Sequence, residues 1–304
     1  MGELPGAPSR RFRVVAVGAG GRRIAEGLSA DDLFASSGGI ELRAVAVGTD
    51  ASSLESAAAD VRVHVDRPWT GRKGSARDEL RWRDALDREL YRADLTLLVV
   101  GGDDSEALEI ASVACRIGRD RGGLALAFVA GRPSGDGSTG VPQLVAEDIA
   151  AVVEAADSAF FVPAFASAPC QGDALIRQSM RALLQISRQP GLLHYSLKEL
   201  SETFHHAGQG EIAAGRGKGE ARFSDAAQAV LASPTLVRPL HYAACVALHV
   251  RAGASSTLYD LNDLSATVAA ACEPRANLWT AVYLDSPDED AVEVTLVAAG
   301  LPRS

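Results

Sequence analysis

Residues Leu95–Val100 read as a buried strand that runs into Gly101-Gly102-Asp103-Asp104-Ser105-Glu106 and then a helix over Ala107–Gly118. A strand, a glycine turn and a helix N-terminus make an anion cradle, because free backbone N–H groups and the helix dipole favour negative charge there. Here the chain supplies that charge itself: Asp103, Asp104 and Glu106 crowd the mouth of the cradle. Asp103-x-x-Glu106 also resembles a capping box, although the box proper uses Ser or Thr. A phosphate arriving at this helix would meet carboxylates where it needs donors. The pattern is that of a nucleotide-binding scaffold whose phosphate site has been overwritten.

A second glycine loop, Gly18-Ala19-Gly20-Gly21, follows the β-branched strand Val14–Val17 and leads into Arg22 and Arg23. Two roles stand open for these arginines. They could bind phosphate in place of lost amides, or they could pair with Asp103, Asp104 or Asp50 and seal the cradle by charge-assisted hydrogen bonds. The glycine loop would also suit a dinucleotide-binding enzyme, but Arg23 takes the position of the third glycine of G-x-G-x-x-G. Asp50 lies well beyond the offset of about 20 residues expected for a ribose-binding acid. The histidines His194, His205 and His206 make a poor metal set, since adjacent residues on a helix do not face one centre. Trp69-Thr70-Gly71-Arg72-Lys73-Gly74 offers one basic pair in a loop, either a phosphate donor or a solvated surface.

The elements that must position these groups alternate. Strands are expected at Val14–Val17, Leu42–Val47, Val61–Val65, Leu95–Val100, Leu124–Val129 and Ala159–Val162. Helices are expected at Arg22–Leu28, Ala76–Ala93, Ala107–Gly118 and Val145–Ala155, and a Gly/Ser/Pro loop covers Arg132–Pro142. Leu80, Leu86 and Leu90 mark the apolar side of the charged helix Ala76–Ala93. This alternation predicts a doubly wound parallel sheet. Gln171–Ser187 is a long helix carrying Leu175, Ile176, Leu183, Leu184 and Ile186. After Gln189-Pro190-Gly191 the style changes to strands at Tyr242–Val250, Asn277–Leu284 and Ala291–Ala298 with helices at Ser224–Leu231 and Tyr259–Ala271, a smaller α/β domain with mixed strands. Gly208–Gly219 is the compositionally odd segment. The expected domains are a tail over 1–12, a nucleotide-type domain over 13–170, a central helix over 171–189, the second domain over 190–301, and a tail end over 302–304.

With 304 residues, 47% of them hydrophobic, the chain can bury two cores. A net charge of −9 argues against a general binder of nucleic acid or anionic membrane. The four cysteines, Cys115, Cys170, Cys245 and Cys272, are widely spaced and form neither a disulfide framework nor a CxxC site. Neither a signal peptide nor an apolar run of about 18 residues is present, so a cytoplasmic protein without direct membrane insertion is expected.

Several segments together resemble FtsZ, the bacterial tubulin homologue, over roughly Arg13 to Leu301. They are Val17-Gly18-Ala19-Gly20-Gly21, Ala44–Ala51, Ala93-Asp94-Leu95, Gly172-Asp173-Ala174-Leu175-Ile176-Arg177-Gln178, Pro190-Gly191-Leu192-Leu193, Ala232-Ser233-Pro234, Ser256–Asn262 and Val292–Gly300. Their order is collinear with the family's. The resemblance implies a tubulin/FtsZ-like α/β fold: a doubly wound nucleotide-type domain, a central helix and a smaller C-terminal α/β domain. It also implies a GTP site built on Gly18, Gly20, Gly21, Arg22, Asp50, Gly101, Gly102, Asp103, Asp104 and Asp173, with Asp173 at the family's guanine-reading position. The same Asp173 would serve equally as a helix N-cap.

The departures from the family fall at the chemistry. The GGGTGTG signature is shortened by about four residues to Gly101–Glu106. Arg22 stands where the family has Asn. Arg132–Ser138 keeps only the opening of the ribose-contacting segment, and Pro163-Ala164-Phe165 replaces PND. The loop that reaches the neighbouring subunit's site carries His194, Ser196 and Glu199 at the positions of Asn and two acids. Glu199 is either a substitute acid or a solvated residue on a helix face. Phosphoryl transfer rests on such positioning, so neither Ser196 nor Glu199 is a confident catalyst. The resemblance thus implies an assembly protein of the bacterial cytoskeleton, in cell division or membrane remodelling, that lacks GTP hydrolysis and a required cofactor. It would associate with itself or with an FtsZ-like partner. A GTPase with a rebuilt site, using GTP and GDP, is the alternative. The family's C-terminal tail has no counterpart before Ser304, so any membrane link is expected through another protein or an unusual surface.

Overall fold

The computed structural model describes residues 10–28, 40–65, 76–131, 146–163, 169–185 and 191–302. By compactness the chain divides into two units. The first runs to Ala159 and includes Pro163–Arg177; the second comprises Phe160–Val162 and Gln178–Ser304.

In the first unit, parallel strands β1 (Arg10–Val17), β2 (Ile40–Gly48), β3 (Val61–His64), β4 (Leu95–Gly101) and β5 (Leu124–Ala130) lie in the order β3-β2-β1-β4-β5. Every residue of β4 and β5 is buried. That explains their unbroken apolar runs, since central strands of a parallel sheet are covered on both faces. Helices α1 (Gly18–Glu26), α2 (Ala51–Glu55), α3 (Ala76–Leu90), α4 (Ser105–Asp120) and α5 (Ala146–Ala155) connect them. Among the described side chains of α3, Trp82, Leu86 and Leu90 are buried, one helical turn apart. Strand β6 (Ser158–Val162) begins beside β5, where the Asp157 carboxylate accepts from the Ala125 amide at 2.8 Å. Helix α6 (Pro169–Gln185) buries Ile176, Met180, Leu183 and Leu184.

In the second unit, β7 (Gly208–Lys218), β8 (Cys245–Arg251), β9 (Asn277–Tyr283) and β10 (Ala291–Ala299) form the order β7-β10-β8-β9. Only the β8–β9 pair is parallel, so the sheet is mixed as expected. Helices α7 (Leu197–Phe204), α8 (Arg222–Leu231) and α9 (Leu258–Ala269) complete it, and the core gathers Phe223, Val230, Leu248, Leu261, Leu264 and Leu296. The odd segment Gly208–Gly219 is thus almost wholly an eleven-residue strand. Its glycines are imposed by α8: a Cβ at Gly217 would lie 1.9 Å from the Arg222 carbonyl oxygen, and one at Gly215 would lie 2.4 Å from the Val230 nitrogen. Helix backbone rests directly on strand backbone, which only glycine permits. The strand expected from Tyr242 starts instead at Cys245, after a 3₁₀ turn over Leu240–Tyr242. No helix of the described residues is long and apolar enough to cross a membrane.

Candidate functional site: a glycine cradle lined with carboxylates

Strands β1 and β4 end side by side, and α1 and α4 start from their carboxyl ends. That crevice is where open α/β sheets hold ligands. The two glycine loops touch each other there. A Cβ at Gly20 would lie 2.8 Å from the Gly101 Cα, and one at Gly21 would lie 2.3 Å from the Val99 carbonyl oxygen. Gly18 has φ +67°, the left-handed region that glycine favours, and a Cβ there would meet Ala107 Cβ at 2.8 Å. Close backbone packing of α1 against β4 therefore accounts for the glycine pattern without a ligand.

The acids fill the cradle in distinct ways. Asp104 is the N-cap of α4, its Oδ1 accepting from the Ala107 amide at 3.0 Å. This corrects the Asp103-x-x-Glu106 box: the cap lies one residue later, and Glu106 sits in the first turn. Oδ1 of Asp103 lies 2.8 Å from the Cβ position of Gly101 and 3.9 Å from that of Gly20, over the junction of the two loops. Burial and the neighbouring Asp104 push the Glu106 carboxyl above its ordinary range, while a hydrogen bond with the Thr49 side chain opposes them. Its Oε1 is buried without a hydrogen-bond partner. Ser105 donates to Asp148 of α5. Gly102 gives its amide to the Ala130 carbonyl at 2.7 Å, which removes one donor that an anion would use. Asp50 is the N-cap of α2, accepting from the Ser52 amide at 3.1 Å. The hydroxyls of Ser53 and Ser52 hold its carboxyl down to about 2.

The arginines part company. Arg22 is 9% exposed and makes no ion pair among the described residues. Its Nη1 lies 3.1 Å from the Cβ position of Gly48, at the end of β2, so it does not pair with Asp103, Asp104 or Asp50. Arg23 forms a bidentate pair with Asp173, Nε to Oδ2 at 2.9 Å and Nη2 to Oδ1 at 3.2 Å. Asp173 is the fifth residue of α6, so it is not that helix's cap. Arg177, one turn on, has its Nη1 2.8 Å from the Cβ position of Gly27, one turn beyond Arg23. The start of α6 thus runs alongside α1 in the same direction.

In the second unit, Ser196 and Glu199 form a capping box at the start of α7. The Glu199 amide donates to Ser196 Oγ at 3.2 Å, and the Ser196 amide donates to Glu199 Oε2 at 2.6 Å. Those bonds hold the Glu199 carboxyl below its ordinary range. The signal was in the sequence: Ser196-Leu197-Lys198-Glu199 is the S-x-x-E pattern that precedes a helix. The His205 and His206 rings lie against each other, 4.0 Å between centroids. Among the described residues Cys115, Cys245 and Cys272 are free and buried; burial pushes the Cys115 thiol up to about 12. The Arg132–Ser138 segment and the Arg72-Lys73 pair lie outside the described residues.

Residues 208–302 match the model of the FtsZ family, C-terminal domain. The whole chain is similar in fold to a substitution mutant of FtsZ from M. jannaschii, with a TM-score of 0.82 and 19% identity over 96% of this chain and 92% of that one. The empty FtsZ dimer of the same organism gives 0.80 at 19% identity, covering 96% and 88%. TubZ of Bacillus thuringiensis serovar israelensis, solved as GDP-form protofilaments, gives 0.68 at 14% identity, covering 97% and 88%. The chain as a whole shares the fold of FtsZ and TubZ, and its residues 208–302 carry the match to the FtsZ C-terminal domain. Its fold is the FtsZ/tubulin fold throughout, including the first unit, which the family model does not reach.

Against that fold the chemistry of this site stands out. A superfamily phosphate site needs free amides and positive charge; this one offers three carboxylates and an amide already bonded to Ala130. Ser196 and Glu199, which the resemblance sets at the family's acid positions, cap their own helix.

Proposed function

We propose that this chain is an FtsZ-like assembly protein without GTP hydrolysis, acting through filament formation or through modulation of a partner filament or a membrane-remodelling system. The observation that carries this reading is Asp103 lying over the Gly20–Gly101 junction beside the capping Asp104. Carboxylates there raise the cost of a phosphate by like-charge repulsion in a partly desolvated crevice. With Ser196 at one of the two acid positions and Glu199 at the other held in its own capping box, the charge positioning is lost, which removes several kcal/mol of barrier lowering, or orders of magnitude in rate. Assembly is supported by the relatives, among them a FtsZ dimer and TubZ protofilaments. Contacts of that head-to-tail kind join unlike faces and extend without closing. Sedimentation and electron microscopy of the purified protein, with and without GTP, test it alongside phosphate release. Filaments of equal mass in both conditions with no phosphate released agree with the reading. Phosphate release rising with protein concentration contradicts it.

One observation favours a second reading. The Arg22 guanidinium, near the end of β2, makes no ion pair among the described residues. A rebuilt GTPase would turn it, with Lys73, toward phosphate and would take Glu199 of the next subunit as its acid. Glu199 would first have to leave its capping box. Turnover abolished by Glu199→Ala would establish this alternative.

A further inference from the structure

Strand β9 is the outermost strand of the second unit's sheet. Its inner side is taken by β8: the Asn277 amide donates to the Ala244 carbonyl at 3.0 Å, and the Ala252 amide donates to the Tyr283 carbonyl at 2.9 Å. On its outer side the only backbone pairing among the described residues is an isolated antiparallel bridge between Leu193 and Val282. There the Leu192 amide donates to the Val282 carbonyl and the Val282 amide to the Leu193 carbonyl, both at 2.8 Å. Backbone groups alternate sides along a strand, so Leu278 and Thr280 turn their N–H and C=O groups outward in step with Val282. No strand of the described residues pairs with them there. An open edge of this kind is a template for another strand. The chain treats its two outermost strands differently. β3 is four residues long and carries Arg62 and His64, and shortness and charge are common defences of an edge. β9 reads Asn-Leu-Trp-Thr-Ala-Val-Tyr, without a charge or a proline. Leu278, Trp279 and Thr280 are half-buried, and the exposed Leu192 and Leu193 extend the apolar surface past the bridge.

We infer that the open half of β9, Asn277–Ala281, pairs with the same stretch of a second copy of this chain, antiparallel and about a twofold axis at Trp279. Hydrogen-bond parity and symmetry fix the register. Leu278 exchanges both backbone bonds with the partner's Thr280, and Thr280 does so with the partner's Leu278. Trp279 faces the partner's Trp279 in the non-hydrogen-bonded position, where side chains on neighbouring strands come closest. This register uses both open residues and leaves the Val282 bridge intact. An axis at Thr280 would set Leu278 against the partner's Val282, which Leu193 already holds. An axis at Leu278 would leave Thr280 facing beyond the start of the partner's strand at Asn277. A second copy fits as the occupant because its own strand begins at Asn277, opposite Ala281, and so stops short of Leu193. No charged residue meets another across the paired run. A contact of this kind joins like faces and closes at two. The head-to-tail contacts of the proposed function join unlike faces, so the inference goes beyond that reading and does not rest on it.

The test is analytical ultracentrifugation of the full chain without nucleotide, across a concentration series into the high micromolar range. Two variants accompany it. Thr280→Pro removes an outward donor that the fold itself does not use, the one place where an edge strand accepts proline. Leu278→Lys puts a charge on the edge. Expected is a monomer–dimer equilibrium for the wild type, with dimerisation at least about tenfold weaker in both variants. A second measurement reads the register and does not depend on either variant folding. Chains carrying Leu278→Cys and Thr280→Cys are oxidised with diamide, separately and mixed. The two positions face each other in a hydrogen-bonded pair, whose Cα separation of about 5.5 Å suits a disulfide. The mixture should therefore cross-link several-fold more than either chain alone. A wild type that stays monomeric leaves the edge to a strand of another protein and overturns the inference. Association that grows past two, association that neither variant weakens, or a mixture that cross-links no better than its parts overturns it as well.

Discussion

Single side chains here do capping work where the family's pattern placed chemistry. Asp104, Asp50, Ser196 and Glu199 each satisfy amides at a helix start. Replacing Asp104 by Ala is expected to cost about 1 kcal/mol of stability, the usual loss for an N-cap. Ser196→Ala should cost a similar amount through the box on α7. Urea unfolding checks both, and the phosphate-release rate of Ser196→Ala should stay at the wild-type background. A rate that fell with Ser196→Ala would return this residue to catalysis. Much of this was legible beforehand: the carboxylates were seen to crowd the cradle. The cap differs from the expected register by one residue, because Asp104 rather than Asp103 accepts from the Ala107 amide, and the S-x-x-E at Ser196 is a local helix-start signal independent of the family pattern. The partner of Arg23 was hidden for a different reason. It lies 150 residues away, and no local pattern encodes a contact between α1 and α6.

At the scale of elements, the glycines separate packing from binding. Gly21 has the Val99 carbonyl oxygen 2.3 Å from its Cβ position, and that oxygen belongs to a fully buried strand that cannot give way. Gly21→Ala should therefore lower stability by about 3 kcal/mol, at the upper end of overpacking. A loss below about 1 kcal/mol, read by urea unfolding, would mean that α1 is not held this close. The second unit carries a different signature. His249 of β8 stacks on Tyr283 of β9, with centroids 4.9 Å apart, and its Nε2 is buried without a partner. Burial first, then the Arg251 guanidinium, pushes its imidazole down to about 4, with Asp285 opposing. The unfolded chain takes up this proton below about pH 6.5, while the folded one resists it until about pH 4. Stability from this group is therefore whole above pH 6.5 and is lost as the pH falls toward 4, by up to about 3 kcal/mol. His249→Phe should flatten that part of the urea midpoint against pH; parallel curves for both proteins would refute the assignment. Long apolar elements such as β4, β5 and α4 were readable from sequence. β7 was not, because its Gly215 and Gly217 reflect α8 lying on the strand, a tertiary fact that overrides strand propensity.

Across the whole molecule, the order of elements is kept at 19% identity to FtsZ, while the proposed function has the phosphate chemistry lost. A fold is specified by burial and close packing spread over many positions, so it survives drift that a handful of charge-bearing positions does not. This is why the fold could be read from collinear motifs while the site had to be seen in three dimensions. Neutralising the mouth offers one route back: Asp103→Asn with Glu106→Gln should raise GTP affinity over the wild type by about tenfold, since each removes a like charge from the crevice. The most direct test of the account is an equilibrium titration of fluorescent GTP into the wild-type protein, competed with GDP and ATP. The account predicts no saturable binding into the high micromolar range. Tight, guanine-selective binding, displaced by GDP and not by ATP, would mean that the cradle still holds phosphate, and it would contradict the closed site.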